Sequence, residues 1–407
     1  YFNVKPNSVL KNIPDYKLLS DGIVNSASLF VKYGFDSSNL IVSFIVPKSL
    51  SFVDSWKPIR SFILNRTNLL VSFDVGMAFE NVGLEMIVII FNKNINSQSR
   101  TKVLNNLELN YEIEQKYFRD NDIILTSLDD KKIRVIEKIA YDCDLLGDVA
   151  EMPRGLTLNK NDFHNKGGSS KIQILGGTNI QRYQIKDGGK RKPNRYINLD
   201  NTLYLKKIDL FQKNRIVYQN IASSLPKVVA AIDTLGLPTD DTINNLIIYD
   251  SSFSRNYIIG FLNSSLVTYY LKNAIINNAI LTVHLDKPYL GKLPIKSIPI
   301  SIQRTFDFFV ESILSVVSIE NYSKYFEQII DAVLYEIYFT DEIKSASCEI
   351  LKHLTDLPEF KEDWSEEKKL KIVEKVYKEL SSPKHPVSSV LLKTQNIEEV
   401  AIIEGRK

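Results

Sequence analysis

Leu40-Ile41-Val42-Ser43-Phe44-Ile45-Val46 is a continuous apolar run closed by Pro47, the pattern of a strand buried on both faces. Two further runs, Asn68 to Val75 and Leu84 to Phe91, repeat it. Between the first two, Trp56, Ile59, Phe62 and Ile63 fall at helical spacing. Strand, helix, strand, strand with strands of this kind predicts half of an open α/β sheet.

Outward from this nucleus the totals set bounds. A chain of 407 residues, 44% apolar and 24% charged, has the length for two or three domains with proper cores and the composition of an ordinary globular protein. The net charge of +3 hides an asymmetry. Residues 151 to 300 hold 20 Lys and Arg against 10 Asp and Glu, net +10, and the rest of the chain, with 31 and 38, is net −7. One region is basic, and its partner is expected to be anionic.

Two cysteines, Cys143 and Cys348, exclude a disulfide scaffold and a Cys-based metal site, and fit a reducing cytoplasm. The most apolar window, Leu69 to Phe91, is broken by Asp74, Glu80 and Glu85, and no basic-then-apolar signal opens the chain, so no membrane partner is expected. The chain begins at Tyr1, and the expectation is a fragment of a longer protein.

The basic residues concentrate between Lys171 and Arg215, with two glycine pairs, Gly176-Gly177 and Gly188-Gly189, and with Tyr183 and Tyr196 interleaved. A loop-rich basic surface of this kind suits phosphates and base edges. Arg favours guanine, and Asn or Gln favours adenine. The leading candidates for DNA contact are Arg182, Lys190, Arg191, Lys192, Asn194 and Arg195, followed by Arg154, Lys160, Thr178 and Asn179.

Elsewhere the pattern is plainer. Asn92 to Asp148 loosens, and Ile133, Ile136 and Ile139 predict a short amphipathic connector helix over Lys132 to Asp142. Phe326, Ile329, Ile330, Val333, Leu334 and Ile337 form a full helical stripe. Asp363 with Glu366 predicts the start of a second helix, ended by Ser381-Ser382-Pro383. Glu342-Ile343-Lys344 matches half of a nuclease metal motif, but Asp341 beside it favours a helix start. His164, His284, His353 and His385 lack ligand spacing, so no metal is expected.

Several of these stretches resemble a known family. Phe44-Ile45-Val46-Pro47-Lys48-Ser49, Arg60, Asp74-Val75-Gly76, Ala78-Phe79 and the Leu84 to Phe91 run resemble the second half of the catalytic domain of TaqI-like and Eco57I-like adenine-specific DNA methyltransferases. Leu145 to Thr157, Ile174 to Tyr183, Arg215 to Asn220, Asp240-Asp241-Thr242 with the Ile243 to Tyr249 strand, the helical Tyr257 to Tyr270 and Gly291-Lys292-Leu293-Pro294-Ile295 resemble, in order, a TaqI-like specificity domain. The segment from Gln328 to Lys344 resembles the helical tail of the same restriction-modification proteins, of the type IIG kind.

The resemblance implies an α/β partial Rossmann-like methyltransferase sheet over residues 1–100, a helical connector over 101–144, an α+β target-recognition domain over 145–300 and a C-terminal helical region over 301–407. It implies a bacterial or archaeal parent that moves a methyl group from S-adenosylmethionine to the exocyclic amine of adenine, on double-stranded DNA. Phe79 stands where the family stacks an aromatic on the flipped adenine, and a core role for Phe79 is the competing expectation. The family's Asn-Pro-Pro-Tyr motif and glycine-rich cofactor loop do not occur. This chain is therefore expected neither to bind S-adenosylmethionine nor to methylate alone, its partner being an upstream catalytic half or a separate methylase chain. Relatives usually carry Arg where Gly176 or Gly177 stands, which makes backbone amides the expected DNA ligands at that turn. A non-catalytic specificity subunit and an RNA methyltransferase remain the alternatives.

Overall fold

The computed structural model describes Asn3, Asn12, Leu19 and residues 25–94, 99–105, 109–189, 192–222, 227–315, 320–361 and 363–406. The chain forms two compact units, one of residues 1–134 with 272–283, the other of 135–271 with 284–407.

The first unit is built on a five-stranded mixed sheet in the order β1-β3-β2-β4-β5. Its strands are β1 (Ile41–Pro47), β2 (Asn68–Gly76), β3 (Met86–Asn92), β4 (Arg100–Asn105) and β5 (Leu109–Glu114). β3 lies antiparallel between β1 and β2, pairing Val46 with Ile87 and Phe73 with Val88. β4 joins β2 in parallel. Ile87, Ile89 and Phe91 of β3 are fully buried, as the apolar run predicts. β1 departs from expectation: it is an edge strand, and Ile41 is 61% exposed.

Helix α1 (Ser26–Ser37) precedes β1 and α2 (Lys57–Arg66) links β1 to β2. In α2, Ile59, Ile63 and Leu64 face inward together with Arg60. The Arg60 guanidinium, with no exposure, is neutralised by Asp122 at 2.7 Å and donates to the carbonyls of Leu50 and Val53. A buried charge needs such a full set of partners.

The loosened stretch after Asn92 is not all connector, because it supplies β4 and β5. In β4 Arg100 and Lys102 point to solvent and Thr101 and Val103 are buried, an alternation that only five residues carry and that Thr101 disguises. Its hydroxyl is satisfied by the Leu69 carbonyl at 2.8 Å. The expected amphipathic helix follows as α4 (Asp130–Ala140), after the short α3 (Gln115–Asn121).

Residues 272–283 also belong to this unit, an excursion that the expected domain order lacks. Asn277, in the left-handed region at φ 50°, donates to Ser51 Oγ and the Ile124 carbonyl, both at 2.8 Å. Asn tolerates that conformation better than most residues.

The second unit holds β6 (Asp144–Leu145), β7 (Ala150–Glu151), β8 (Lys171–Ile174), β9 (Arg195–Asn198), β10 (Ile216–Gln219), β11 (Ala230–Ile232), β12 (Ile243–Ile248) and β13 (Pro294–Ile295). Four of them make an antiparallel sheet in the order β11-β10-β12-β7, β8 pairs with β9, and β13 pairs with β6. Adjacent residues divide the core here. Ile174 packs with Leu156, Ile197, Tyr204 and Phe211, and Leu175 packs with Ile180, Val217, Ala231 and Ile243. The turn that follows is thereby fixed between two clusters.

Residues 301–407, expected as a separate region, fall within the same unit. The helical pattern from Tyr257 to Tyr270 is two helices, α5 (Arg255–Leu262) and α6 (Ser265–Tyr270). The break is physical: the Asn263 side chain pairs with both the N–H and the C=O of Ala230 on β11, at 3.1 and 3.0 Å, and Ser264 caps α6. Helix α7 (Ile300–Ser315) lies against α5. A side chain at Gly260 would approach Phe306 to 2.9 Å.

Helix α8 (Glu320–Tyr338) buries the whole predicted stripe from Phe326 to Ile337. Glu342 lies in a short helix, α9 (Thr340–Ser345), where it pairs with Lys138. The next helix, α10 (Glu366–Leu380), is capped by Ser365, which accepts from the Lys368 amide. The expected Asp363 cap is thus replaced by a residue one step from the helix, where its oxygen reaches the free amides. No helix of the described residues is long and apolar enough to cross a membrane.

Candidate nucleic-acid interface

The candidate site is built around a single acidic turn in the basic region of the second unit. Asp240 is 2% exposed. Its Oδ1 accepts from the Thr242 amide at 3.0 Å and from the Thr242 hydroxyl at 2.5 Å, and that hydroxyl accepts from the Gly177 amide at 2.7 Å. The second carboxylate oxygen, Oδ2, accepts from Arg195 Nη2. The Arg195 guanidinium also lies 4.4 Å from the centre of the Phe163 ring, a cation–π position. It is thus held on one edge and one face.

Around this pair lies an open cleft of about 550 Å³, whose wall includes Thr178, Asn179, Lys192, Arg195, Gln219 and Thr242. Four of the sequence candidates therefore meet in one place. Thr178 and Lys192 are exposed there. Asn179 is buried, with its side chain bonded to the Gly176 amide and the Lys186 carbonyl, so it shapes the turn.

The other candidates have different surroundings. Asn194 accepts from the Gly188 amide at 2.6 Å and donates to Asp187 at 3.0 Å, which closes its own loop. Arg182 is diverted to α8, where Nη2 meets Glu327 Oε2 at 2.8 Å. Burial works against its charge, but Glu327, with Tyr183 and Asp331 adding to it, holds its pKa above the ordinary value. Arg154 is exposed, with Nε on the Asp241 carbonyl. Lys160 is exposed on a 3-10 turn and is not part of the cleft wall. Lys190 and Arg191 lie outside the described residues.

The glycine turn corrects an expectation. The amides of Gly176 and Gly177 donate inward, to Asn179 Oδ1 and Thr242 Oγ1, and are not offered to a ligand. Their value is space. A Cβ at Gly176 would collide with Arg195 Nη2 and stand 3.1 Å from Asp240 Oδ2. Arg195, from β9, fills the place above the turn.

Sequence reasoning missed Asp240, Thr242 and Gln219 as parts of this wall. Gln219 donates to the carbonyls of Gly177 and Ile180. The available signal was Asp240-Asp241-Thr242, a pair of carboxylates in a basic region followed by a hydroxyl able to bond back to the first of them.

In the first unit, Phe79 is on the β2–β3 loop and 47% exposed, with Met77 at 53% and Leu84 at 46%. This removes the core role. Beneath that loop, buried Lys48 bridges Asp74 at 2.6 Å and Glu85 at 3.3 Å and donates to the Asn278 carbonyl. Glu85 in turn accepts the amides of Ile280 and Leu281.

The stretch from β8 to β13, which carries this cleft, matches over residues 172–295 the sequence profile of the TaqI-like C-terminal specificity domain. No curated protein matches the chain. Among solved structures it is similar to the type IIL restriction-modification enzyme MmeI in complex with DNA, with 10% identity and TM-score 0.40 over 92% of this chain and 51% of that one. It is also similar to the type IIG restriction endonuclease BpuSI, with 11% identity and TM-score 0.32 over 78% and 50%. The HsdS subunit from Thermoanaerobacter tengcongensis gives 11% identity and TM-score 0.29 over 51% of each chain. The chain spans about half the length of each of these. Within the matched stretch, Arg195, Asp240 and Gly176 meet at the cleft wall.

Proposed function

We propose that this chain selects the DNA site for an adenine-specific methyltransferase of a restriction-modification system, its specificity domain reading double-stranded DNA. The observation that carries the reading is the cleft wall where Lys192, Thr178 and the clamped Arg195 meet within a domain of that family. Exposed lysines supply phosphate contacts, and hydroxyl and guanidinium groups read base edges.

The first unit supports the methyltransferase half of the proposal. α2 connects β1 to β2, and β3 lies between them, as in part of a larger α/β sheet. Phe79, exposed on the loop after β2, has the access that stacking on an extruded adenine requires.

The end of β1 agrees with an S-adenosylmethionine site elsewhere. Pro47-Lys48-Ser49-Leu50-Ser51 follows β1 with no glycine turn, and Lys48 fills that strand end with its two carboxylate partners. Methyl transfer is assigned to a catalytic half elsewhere, in the same protein or a separate chain.

The test is the salt dependence of duplex binding. Reversing Lys190, Arg191 and Lys192 together to Glu is expected to weaken binding and flatten the slope of log K against log salt by about two to three. An unchanged slope, or stronger competition by structured RNA than by duplex DNA, contradicts the reading.

A further inference from the structure

We infer that Arg195 reads a guanine edge in the major groove, with Asp240 as its positioning residue and Gly176 as the gap that lets it stand there. This rests on the proposed reading of duplex DNA and goes further by naming the residue and the base.

Phosphate binding rewards an unneutralised cation, because counterion release scales with the charge brought to the backbone. Arg195 is poorly suited to that task, since a buried carboxylate already sits on its Nη2. The pair is close to neutral as a unit.

Reading a base needs something different: N–H donors held in a fixed plane. The structure supplies this plane twice. Phe163 lies under the guanidinium at 4.4 Å, and Asp240 holds one Nη2 hydrogen. Asp240 is itself fixed by the amide and hydroxyl of Thr242, which bonds on to Gly177. A guanidinium has five N–H donors, so one bond to Asp240 leaves four, enough for two on adjacent nitrogens to meet the O6 and N7 acceptors of guanine.

Exposure fits as well, because the Arg195 side chain is 37% accessible and lies on the cleft wall, whereas Asp240 is at 3%. The reader is reachable and its support is not. Rotamer freedom is already spent before DNA arrives, which favours discrimination.

The test uses the full-length protein and a randomised duplex pool. Selection gives the wild-type site, and binding is then measured to every single-base variant of that site for Arg195→Lys, Asp240→Asn and Gly176→Ala. Arg195→Lys keeps the charge on a partly exposed side chain and is expected to leave folding intact. Gly176→Ala removes no polar group and acts by pushing the guanidinium aside.

The expected result is loss of guanine preference at one position by about 10- to 100-fold, shared by all three variants, with the other positions and the salt slope unchanged. Uniform weakening across all sequences with a slope reduced by about one marks a phosphate contact and overturns the inference, while the proposed function stands. Retained guanine preference in Arg195→Lys and Gly176→Ala overturns it too. Failure of the wild type to bind any duplex sinks the proposed function along with it.

Discussion

The second unit contains the same three-residue arrangement twice. Arg195 pairs with Asp240 over Phe163, and Arg215 pairs with Asp233 over Phe211. The second trio is sealed: Arg215 and Asp233 are 0% and 1% exposed, and Nη2 also donates to the Leu237 carbonyl. Burial, only partly offset by Asp233, pulls the Arg215 pKa below its ordinary value. Arg195 is open to a cleft. Similar chemistry thus holds a fold in one place and presents a donor fork in the other, and exposure, with the extra carbonyl partners of Arg215, separates the two.

The largest effect that could break this contrast is on stability. Arg215→Ala strands a buried carboxylate and is expected to cost about 3 to 5 kcal/mol in urea unfolding. Arg195→Ala also removes the partner of a buried carboxylate, but Asp240 keeps its two bonds from Thr242 and borders an open cleft that water can enter, so the expected cost is smaller, about 1 to 3 kcal/mol. Similar losses for the two would erase the distinction.

A second carboxylate sharpens the comparison through pH. Asp331 on α8 accepts the amide and hydroxyl of Ser265 at 2.9 and 2.8 Å. Burial pushes its pKa up to about 6, against the Ser265 bonds and Arg182, with Glu327 adding to the rise. A folded pKa above the unfolded one makes the fold lose stability as pH rises from about 4 through 6. Asp331→Asn is therefore expected to match wild type near pH 4 and to exceed it by on the order of 2 kcal/mol at pH 8. A pH-independent difference between the two proteins would rule this out.

The smallest effect concerns Arg182. Its ion pair with Glu327 is partly exposed, so Glu327→Ala is expected to cost less than about 1 kcal/mol. Arg182→Ala is expected to leave the DNA salt slope within error. A slope lower by about one would return Arg182 to the interface.

These contrasts also show how far residue order alone reaches. The strands of the first unit and the stripe of α8 were legible because apolar runs and helical periodicity mark elements directly, although burial on both faces holds only for the central β3. β4 and β5 were not, since Thr101 and flanking Arg100 and Lys102 give too short and polar an alternation. The basic stretch could be located, yet Arg182, Arg195 and Arg215 read alike in it. Their fates depend on Glu327, Asp240 and Asp233, of which only Asp233 lies within 20 residues of its partner. The glycine pair announced close approach but not what approaches, and in the fold the visitor above Gly176 is Arg195.

The central claim, that this chain reads the sequence of duplex DNA, is tested most directly by selecting from a randomised duplex pool at physiological salt and comparing specific with non-specific binding. The expectation is one defined motif bound on the order of 10³-fold or more above random duplex. Recovery of no motif, with binding that falls with salt equally for every sequence, would contradict it.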